Sequence, residues 1–431
     1  MSRRRNAIAV LIGAVMVALL AAGCGGGDDG DGAGGSEDVS GSVSVMAVWT
    51  GPEQEAFQAV LAGFEEQFPN VTTNYTSAGD QLPTQLSTAV EGGNPPDVAV
   101  LPQPGLIADF ARRNALKPLD FAQSDVEDNF GESAVQLGSV DDTLYGFLFK
   151  AANKSTIWYN VSAFEDAGVE PPDTWEGLLE SAQTLKASGI DAWSFGAADG
   201  WTLTDLFENL YLRSAGPDLY DQLAAHEIPW THESVKETLR LMAEVFKDKG
   251  NVAGNALQTD FPTSVSNVLS ENPKAAMIAE GDFVPGVVDT PLEPETGFNV
   301  FGFPSVEDSG PSVVGGGDTV VMFNDTPATQ AFIRYLTTKE AADIWAQRGG
   351  FATLNKNVEP SIYPDPVTET TAGALSEAEV FRFDLSDLQP AEFGGTVGQG
   401  LFKLFQDFYA NPNNVDGIAR QMESAAAAAF Q

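Results

Sequence analysis

Apolar residues in the first part of the folded chain alternate between the spacing of strands and the spacing of helices. Alternating apolar residues in 43–48 predict a strand that leads into Trp49-Thr50-Gly51, and apolar residues three or four apart in 57–68 predict a helix. The next segments are predicted as strand, helix and strand, at 71–75, 82–90 and 97–101. This alternation is typical of an α/β fold with a doubly wound parallel sheet, in which ligands lie at the carboxyl ends of the strands.

Residues 143–160 contain two apolar runs that meet across a polar connector. The connector Lys150 to Ser155 lacks the Asn-Gly or Gly-Gly sequence that a tight hairpin needs, so we expect the chain to stay extended and to cross between two bodies. Lys150, Asn153 and Lys154 would then lie in a cleft between the bodies, where ligands are often bound. A long hairpin loop with exposed lysines is the alternative.

The chain beyond the crossing has the pattern of a second α/β body and then returns. Asp173 is predicted to cap a helix, and a strand at 275–279 ends in Glu280-Gly281-Asp282-Phe283. Residues 313–322 read as two short strands joined by three glycines, which is the composition expected where the chain crosses back. The remaining chain is predicted to be mainly helical, with alanines at 425–429 that favour helix formation.

Composition and charge narrow the class of protein. The 431 residues are 43% hydrophobic and only 19% charged, which predicts a folded chain of two or three domains. The 61 acidic against 22 basic side chains give a formal net charge of -39. Nucleic acid and anionic lipid are excluded as expected partners, since both would be repelled by this charge.

The N-terminus has the layout of an export signal. Three arginines precede an apolar run at 7–20 that is too short to span a membrane, and small residues follow up to Cys24. We therefore predict a signal peptide at 1–23 and a flexible, Gly- and Asp-rich spacer at 24–42. The lone cysteine resembles the acylated residue of a bacterial lipobox, although Ala21 stands where many lipoboxes have Leu. Ordinary cleavage of a soluble secreted protein is the alternative.

Familiar catalytic motifs are absent from the sequence. It has no Gly-Lys dipeptide of a phosphate-binding loop, no dinucleotide fingerprint and no Gly-x-Ser-x-Gly elbow. The only histidines, His226 and His232, match no metal or triad spacing. We predict no catalytic residue, no metal site and no cofactor, while a pair of carboxylates of the kind found in glycosidases stays open.

Several short motifs in order along the chain resemble those of one family, the substrate-binding lipoproteins of bacterial ABC sugar importers. The motifs are the lipobox-like end at Cys24, Val48-Trp49-Thr50-Gly51, Asn94-Pro95-Pro96-Asp97-Val98, the crossing that ends at Asn160, Pro172-Asp173-Thr174-Trp175, Glu280-Gly281-Asp282-Phe283 and Gly317-Asp318. The segments 81–86 and 101–105 further resemble the alpha-glucoside-binding members.

The resemblance implies a periplasmic-binding-protein-like fold of two α/β lobes joined by hinge strands, with a sugar in the cleft between them. The expected boundaries are 43–152 with 317–372 for the first lobe, and 153–316 with 373–431 for the second. The family also implies a monomer that is not an enzyme, is anchored by lipid to the outer face of the cell membrane, closes on its oligosaccharide and delivers it to the importer permease.

Candidate ligand-binding residues follow from the chemistry of a neutral sugar. Its C-H patches suit flat aromatic faces, and its hydroxyls suit planar donors and acceptors at strand ends. The residues expected to bind are Trp49, Asp80, Gln103, Asn153, Trp201, Glu280, Asp282 and Phe283, followed by Asp318, Phe351 and Phe393. A secreted carbohydrate-active enzyme with an Asp/Glu pair and a surface lipoprotein without a transport role are the alternative functions.

Overall fold

A computed structural model describes residues 39–431. The predicted signal peptide, Cys24 and most of the predicted spacer lie outside the described residues. The first strand begins at Gly41, so Gly41 and Ser42 belong to the sheet and not to the spacer.

The described residues contain twelve strands and seventeen α-helices. The strands are β1 (Gly41–Ala47), β2 (Val71–Ser77), β3 (Val98–Leu101), β4 (Ser139–Val140), β5 (Thr143–Leu144), β6 (Gly146–Asn153), β7 (Thr156–Asn160), β8 (Asp191–Trp193), β9 (Ala275–Ala279), β10 (Phe298–Gly302), β11 (Val313–Met322) and β12 (Phe381–Phe383).

The helices make up most of the chain between the strands and most of the chain after β12. They are α1 (Gly51–Gln67), α2 (Leu82–Glu91), α3 (Gly105–Arg112), α4 (Gln123–Phe130), α5 (Glu132–Leu137), α6 (Val161–Ala167), α7 (Trp175–Ser188), α8 (Thr202–Ala215), α9 (Pro217–Ala224), α10 (Glu233–Phe246), α11 (Phe261–Ser266), α12 (Pro327–Leu336), α13 (Lys339–Ala346), α14 (Pro366–Glu377), α15 (Ala391–Gly394), α16 (Gly400–Ala410) and α17 (Val415–Ala429).

The larger of the two main sheets has six strands. Its order is β12-β11-β3-β1-β2, and β6 also pairs with β11. β1 runs parallel to β2 and β3, as the alternation of strands and helices predicted, whereas β11 runs antiparallel to β3 and β6. The sheet is therefore mixed, because the strand that comes back from the second body enters it in the opposite direction.

The smaller sheet has four strands in the order β10-β7-β9-β8. Only β8 and β9 are parallel, while β7 is antiparallel to both β9 and β10. Large apolar clusters cover both faces of each sheet, which gives the layers of an α/β fold twice over. The predicted α/β class is confirmed, with mixed sheets in place of purely parallel ones.

The polar connector does carry the chain from one sheet to the other. β6 lies in the larger sheet and β7 in the smaller one, with only Lys154 and Ser155 between them. Both strands are buried along their full length, since they run through the middle of the molecule. The hairpin alternative is wrong, because β6 pairs with β11 and β7 pairs with β9 and β10.

The glycine-rich return segment differs from its prediction. Residues 313–322 form the single strand β11, interrupted only by a register shift between Asp318 and Thr319. The return from the smaller sheet therefore precedes Val313. Gly317 has a φ of 157°, and a Cβ there would lie 3.0 Å from Ala151 Cα, so the glycine allows β11 and β6 to approach closely. The exact lobe boundaries stay a prediction.

Two further details of the chain follow from local chemistry. Thr174, and not Asp173, caps α7, because its side chain accepts a hydrogen bond from the Gly177 amide at 3.2 Å. Within the described residues, no helix is both long and apolar enough to cross a membrane.

Candidate functional site

A cleft of about 360 Å³ lies at the carboxyl ends of β1, β2 and β3. The loops that follow these strands supply Trp49, Asp80 and Gln103 to its wall. Trp201, Phe261 and Phe283, which come after the crossing, form an aromatic part of the wall. The volume falls in the range of small-molecule sites, and aromatic walls with a few polar groups are typical of such sites.

The first charged group in the cleft is centred on Lys150 of β6. Its ammonium is paired with the carboxylate of Glu53, at the start of α1. Asp318 of β11 acts on the same ammonium, and the indole N-H of Trp49 donates to Asp318 Oδ2 at 2.8 Å. Burial alone would lower the pKa of Lys150, but Glu53 and Asp318 outweigh it and hold that pKa above its usual value.

The second charged group is centred on Lys154, at the crossing itself. Its Nζ lies 3.2 Å from Asp205 Oδ1 of α8, 2.5 Å from Asp384 Oδ2 and 3.6 Å from Asp387 Oδ2. Glu208 and Glu280 are close enough to act on the same charges. Burial would lower the pKa of Lys154, yet these carboxylates raise it well above the usual value. Lys154 is therefore a permanent cation.

The carboxyl groups around Lys154 outnumber the charge that it can neutralise. Burial, aided by the neighbouring carboxylates, raises the pKa of Asp205 to about 7. Burial and the charge of Asp384 likewise raise the pKa values of Glu208 and Asp387 well above their usual range. The pKa of Asp384 is lowered, because Lys154 and its hydrogen bonds outweigh burial at that carboxyl. At neutral pH the cluster therefore holds bound protons.

A third acidic position is formed by Asp80 and Asp199, which come from opposite sides of the crossing segment. Asp80 follows β2 in the larger sheet, whereas Asp199 stands on the loop before Trp201. Burial first, and then the charge of Asp199, raise the pKa of Asp80 to about 7. No lysine, arginine or histidine of the described residues forms an ion pair with either carboxyl. Asp80 therefore has another carboxyl group beside it and no paired cation among the described residues.

Two polar atoms of the cleft wall have no hydrogen-bond partner within the described residues. They are the amide oxygen Oε1 of Gln103 and the indole nitrogen Nε1 of Trp201, and both are buried. One accepts a hydrogen bond and the other donates one. Leaving such groups unpaired costs free energy, and a ligand hydroxyl that reached them would remove that cost. The Trp201 side chain also lies close enough to Asp80 to lower the pKa of that carboxyl, although burial outweighs this effect.

The aromatic part of the wall is built around Trp201. Its ring packs edge-on against Phe261 at 4.8 Å between centroids and lies 6.3 Å from Phe283. The Lys154 ammonium lies 5.7 Å above the same ring, and Lys150 lies 5.5 Å above Phe283. The aromatic side chains therefore join the two lysine groups into one continuous wall.

Comparison with known proteins identifies the fold and the family. Residues 50–343 match the family model described as bacterial extracellular solute-binding protein. The chain belongs to this family. The prediction made from the ordered motifs is thereby confirmed.

Two similar proteins share about a third of their residues with this solute-binding protein. The osmoprotective compounds-binding protein GgtB of Synechocystis sp. is 33% identical over 383 residues, which cover 86% of this chain and 89% of that protein. The alpha-glucosides-binding periplasmic protein AglE of Rhizobium meliloti is 32% identical over 397 residues, which cover 88% and 85%. Among solved structures, the bacterial solute receptor AcbH has a TM-score of 0.81 at 19% identity, over 90% of this chain and 99% of that one, which shows the fold.

The structure brings six of the predicted binding residues to the cleft of this solute-binding protein. They are Trp49, Asp80, Gln103, Trp201, Phe283 and Asp318. Trp49 is only 1% exposed, so it meets the cleft with its indole edge while the rest of its ring packs against Trp345. Trp49, Asp80 and Gln103 follow the ends of β1, β2 and β3 in the larger sheet. Trp201 and Phe283 come after β8 and β9 of the smaller sheet, and Asp318 lies within β11.

The structure places the other five predicted residues outside the cleft lining. Asn153 faces away from it and donates to the Thr371 carbonyl at 3.2 Å, because on β6 the residues Lys150 and Ala152 take the cleft side. Glu280 lies behind the wall, in the group around Lys154. The others are in the packed interior: Asp282 beside Lys150, Phe351 stacked on Trp345 and Phe393 edge-on to Trp230.

Several cleft residues were not among the predicted binding residues. Lys150 and Lys154 were expected in a cleft but not as the centres of its charged groups. Glu53 lies in the first turn of α1, directly after the loop at the carboxyl end of β1, so its place at this edge of the sheet could have been inferred. Asp387 and Phe402 come from the last 45 residues of the chain and no local pattern marks them.

We predict that Gly395 positions the Gln103 amide. A Cβ at Gly395 would collide with Gln103 Oε1 and lie 2.6 Å from its Cδ, and a flexible side chain can move away at little cost to the fold. Gly395 has a φ of -128°, which alanine also adopts. Gly395→Ala should therefore weaken ligand binding about tenfold in titration calorimetry, with little change in melting temperature.

The double variant tests whether that effect passes through Gln103. If it does, Gly395→Ala combined with Gln103→Ala should bind no more weakly than Gln103→Ala alone, because both changes remove one contact. Gly310→Ala is the control, since nothing lies within 4 Å of a Cβ there. Additive losses in the double variant would contradict the prediction.

We also predict that the unliganded protein loses stability as the pH rises towards 7. The folded-state pKa of Asp80 is about 7, against 3.8 for the free side chain, so the folded state keeps a proton that the unfolded chain has released. The stabilisation is complete below pH 4 and is lost as the pH rises through 7. Asp80→Asn should shrink the difference in urea midpoint between pH 5 and pH 7.5, whereas the exposed control Asp128→Asn should not.

Proposed function

We propose that this solute-binding protein captures an oligosaccharide, an alpha-glucoside, in the cleft and delivers it to an ABC importer. The observation that carries the proposal is the wall at the strand ends, where Trp201 and Phe283 offer apolar surface beside the unpartnered Gln103 oxygen and Trp201 indole nitrogen. A sugar needs both kinds of contact at once. The similarity to AglE over 88% of the chain supports an alpha-glucoside.

A protein that only binds and delivers a sugar needs no catalytic residue. The Glu53 and Asp384 carboxyls are paired with Lys150 and Lys154, and burial raises the pKa of Asp80 to about 7. The similar proteins GgtB and AglE are both named as binding proteins, which supports the same role here. Glucose release from maltose during an overnight incubation with pure protein would contradict a binding role and favour the enzyme alternative.

Titration calorimetry with maltose, sucrose and trehalose tests the function directly. At least one of them should bind with heat and raise the melting temperature, because a ligand that binds only the folded state stabilises it by mass action. Trp201→Ala should weaken that binding by about ten- to a hundredfold, through the loss of apolar contact and of the indole N-H.

The stability of the same variant separates a ligand contact from a core residue. Removing a core tryptophan costs about 3 to 5 kcal/mol of folding free energy. Trp201 is only partly buried, so the unliganded variant should melt much closer to the wild type than a core deletion would. A large fall in melting temperature together with normal affinity would show that Trp201 only supports the fold.

We further propose that Cys24 anchors the protein by lipid to the outer face of the cell membrane. The support is the sequence alone: a lone cysteine between a predicted export signal and a Gly- and Asp-rich segment. Cells fed a radioactive fatty acid should label the wild-type protein and should not label Cys24→Ala, while both variants bind sugar alike. A wild-type protein without label would indicate ordinary cleavage and secretion.

A further inference from the structure

Both cations that line the cleft are already neutralised by the protein. Lys150 is paired with Glu53 and also faces Asp318. Lys154 is within 4 Å of three carboxylates, those of Asp205, Asp384 and Asp387. The side chain of Lys150 is 4% exposed and that of Lys154 is 10% exposed, so neither can turn out of its group towards a ligand. Neither lysine is available as the counter-ion of an anionic ligand.

The wall that remains free for a ligand is acidic or accepts hydrogen bonds. Asp80 lines the cleft and lies near Asp199 from the other body, with no cation paired to either among residues 39–431. Gln103 is 6% exposed and lines the same cleft, and its acceptor Oε1 has no hydrogen-bond partner among the described residues. The aromatic ring of Trp201 borders it. A ligand group that reaches this wall meets acceptors and negative charge.

We infer that the cleft selects its ligand by charge, so that uncharged and amine-bearing glycosides bind while glycosides carrying a phosphate or a carboxylate are rejected. This inference rests on the proposed function, because it specifies which glycosides the same cleft accepts. The selectivity follows from the positions of the charged groups in the cleft and does not depend on the net charge of the whole chain.

The physical reason is that a buried anion needs a free cation or several donors, whereas both lysines of the cleft are already paired with carboxylates. A ligand phosphate would be placed against Asp80 and the Gln103 oxygen, and juxtaposed like charges cost several kcal/mol at a binding site. A hydroxyl can donate to either acceptor without a charge penalty. An ammonium can in addition pair with the Asp80 carboxylate, beside the Trp201 ring that lines the same cleft.

Three matched ligands test the inference at pH 8 and fixed ionic strength. The parent is whichever of maltose, sucrose and trehalose binds best, and it is compared by calorimetry with its 6-phosphate and its 6-amino-6-deoxy derivative. We expect the phosphate to bind at least about a hundredfold more weakly than the parent, and the amine to bind at least as well. A phosphate that binds within tenfold of its parent overturns the inference.

The outcomes also separate this inference from the proposed function. If none of the three parent sugars binds but a phosphate ester does, charge selection as inferred here is wrong. If the parents bind and release glucose, the binding function is wrong while the charge preference can still be read from the three affinities.

Two substitutions locate the selectivity. Asp80→Asn keeps the shape of the side chain and removes its charge, so the discrimination against the phosphate should fall about tenfold. Asp260→Asn is the matched control, because Asp260 also lines the cleft but is exposed and caps α11, a role that Asn also performs. It should change the discrimination much less. Equal effects of the two substitutions would show that the selectivity does not come from Asp80.

Discussion

The fold around the cleft depends on two buried lysines on the chain segment that crosses between the sheets. Lys150 and Lys154 bring together carboxylates from distant parts of the chain, since Glu53 lies 97 residues and Asp384 230 residues from its partner. An ion pair in a protein interior is no stronger than a well-packed apolar contact, but removing one member leaves an uncompensated charge. The lysines therefore fix which segments meet at the cleft more than they add to overall stability.

The segment 384–387 shows how far this constraint reaches. Glu208 of α8 accepts hydrogen bonds from the amides of Leu385 and Ser386, at 2.7 and 3.0 Å. On the other side, the Gly105 amide at the start of α3 donates to the Asp387 carbonyl at 2.9 Å. This segment is neither helix nor strand, and hydrogen bonds to α8 on one side and to α3 on the other hold it in place. It brings Ser386 and Asp387 to the cleft wall.

The sequence predicted those parts of the site that depend on local pattern. Trp49, Asp80 and Gln103 could be placed because parallel strands put their carboxyl ends at one edge of a sheet. Asn153 could not, because side chains alternate along a strand and an error of one residue exchanges the two faces. The single strand β11 was read as two, since its three glycines break the apolar pattern although the backbone pairing continues through them. Asp387 and Phe402 reach the cleft only through tertiary packing, which no periodicity records.

The interior around the cleft holds more carboxyls than cations. Unpaired buried carboxyls lower the stability of a fold, so a chain selected only for stability would avoid this excess. Two lysines face at least seven carboxyls, most of which have raised pKa values because of burial: Glu53, Asp205, Glu208, Glu280, Asp318, Asp384 and Asp387. Asp80, whose pKa is also raised, has no lysine beside it among the described residues. Unpaired buried carboxyls of this kind are expected at binding sites. Protonated carboxyls donate as well as accept, so a wall of partly protonated acids can match the mixed donors and acceptors of a polyol while it stays unfavourable to an anion.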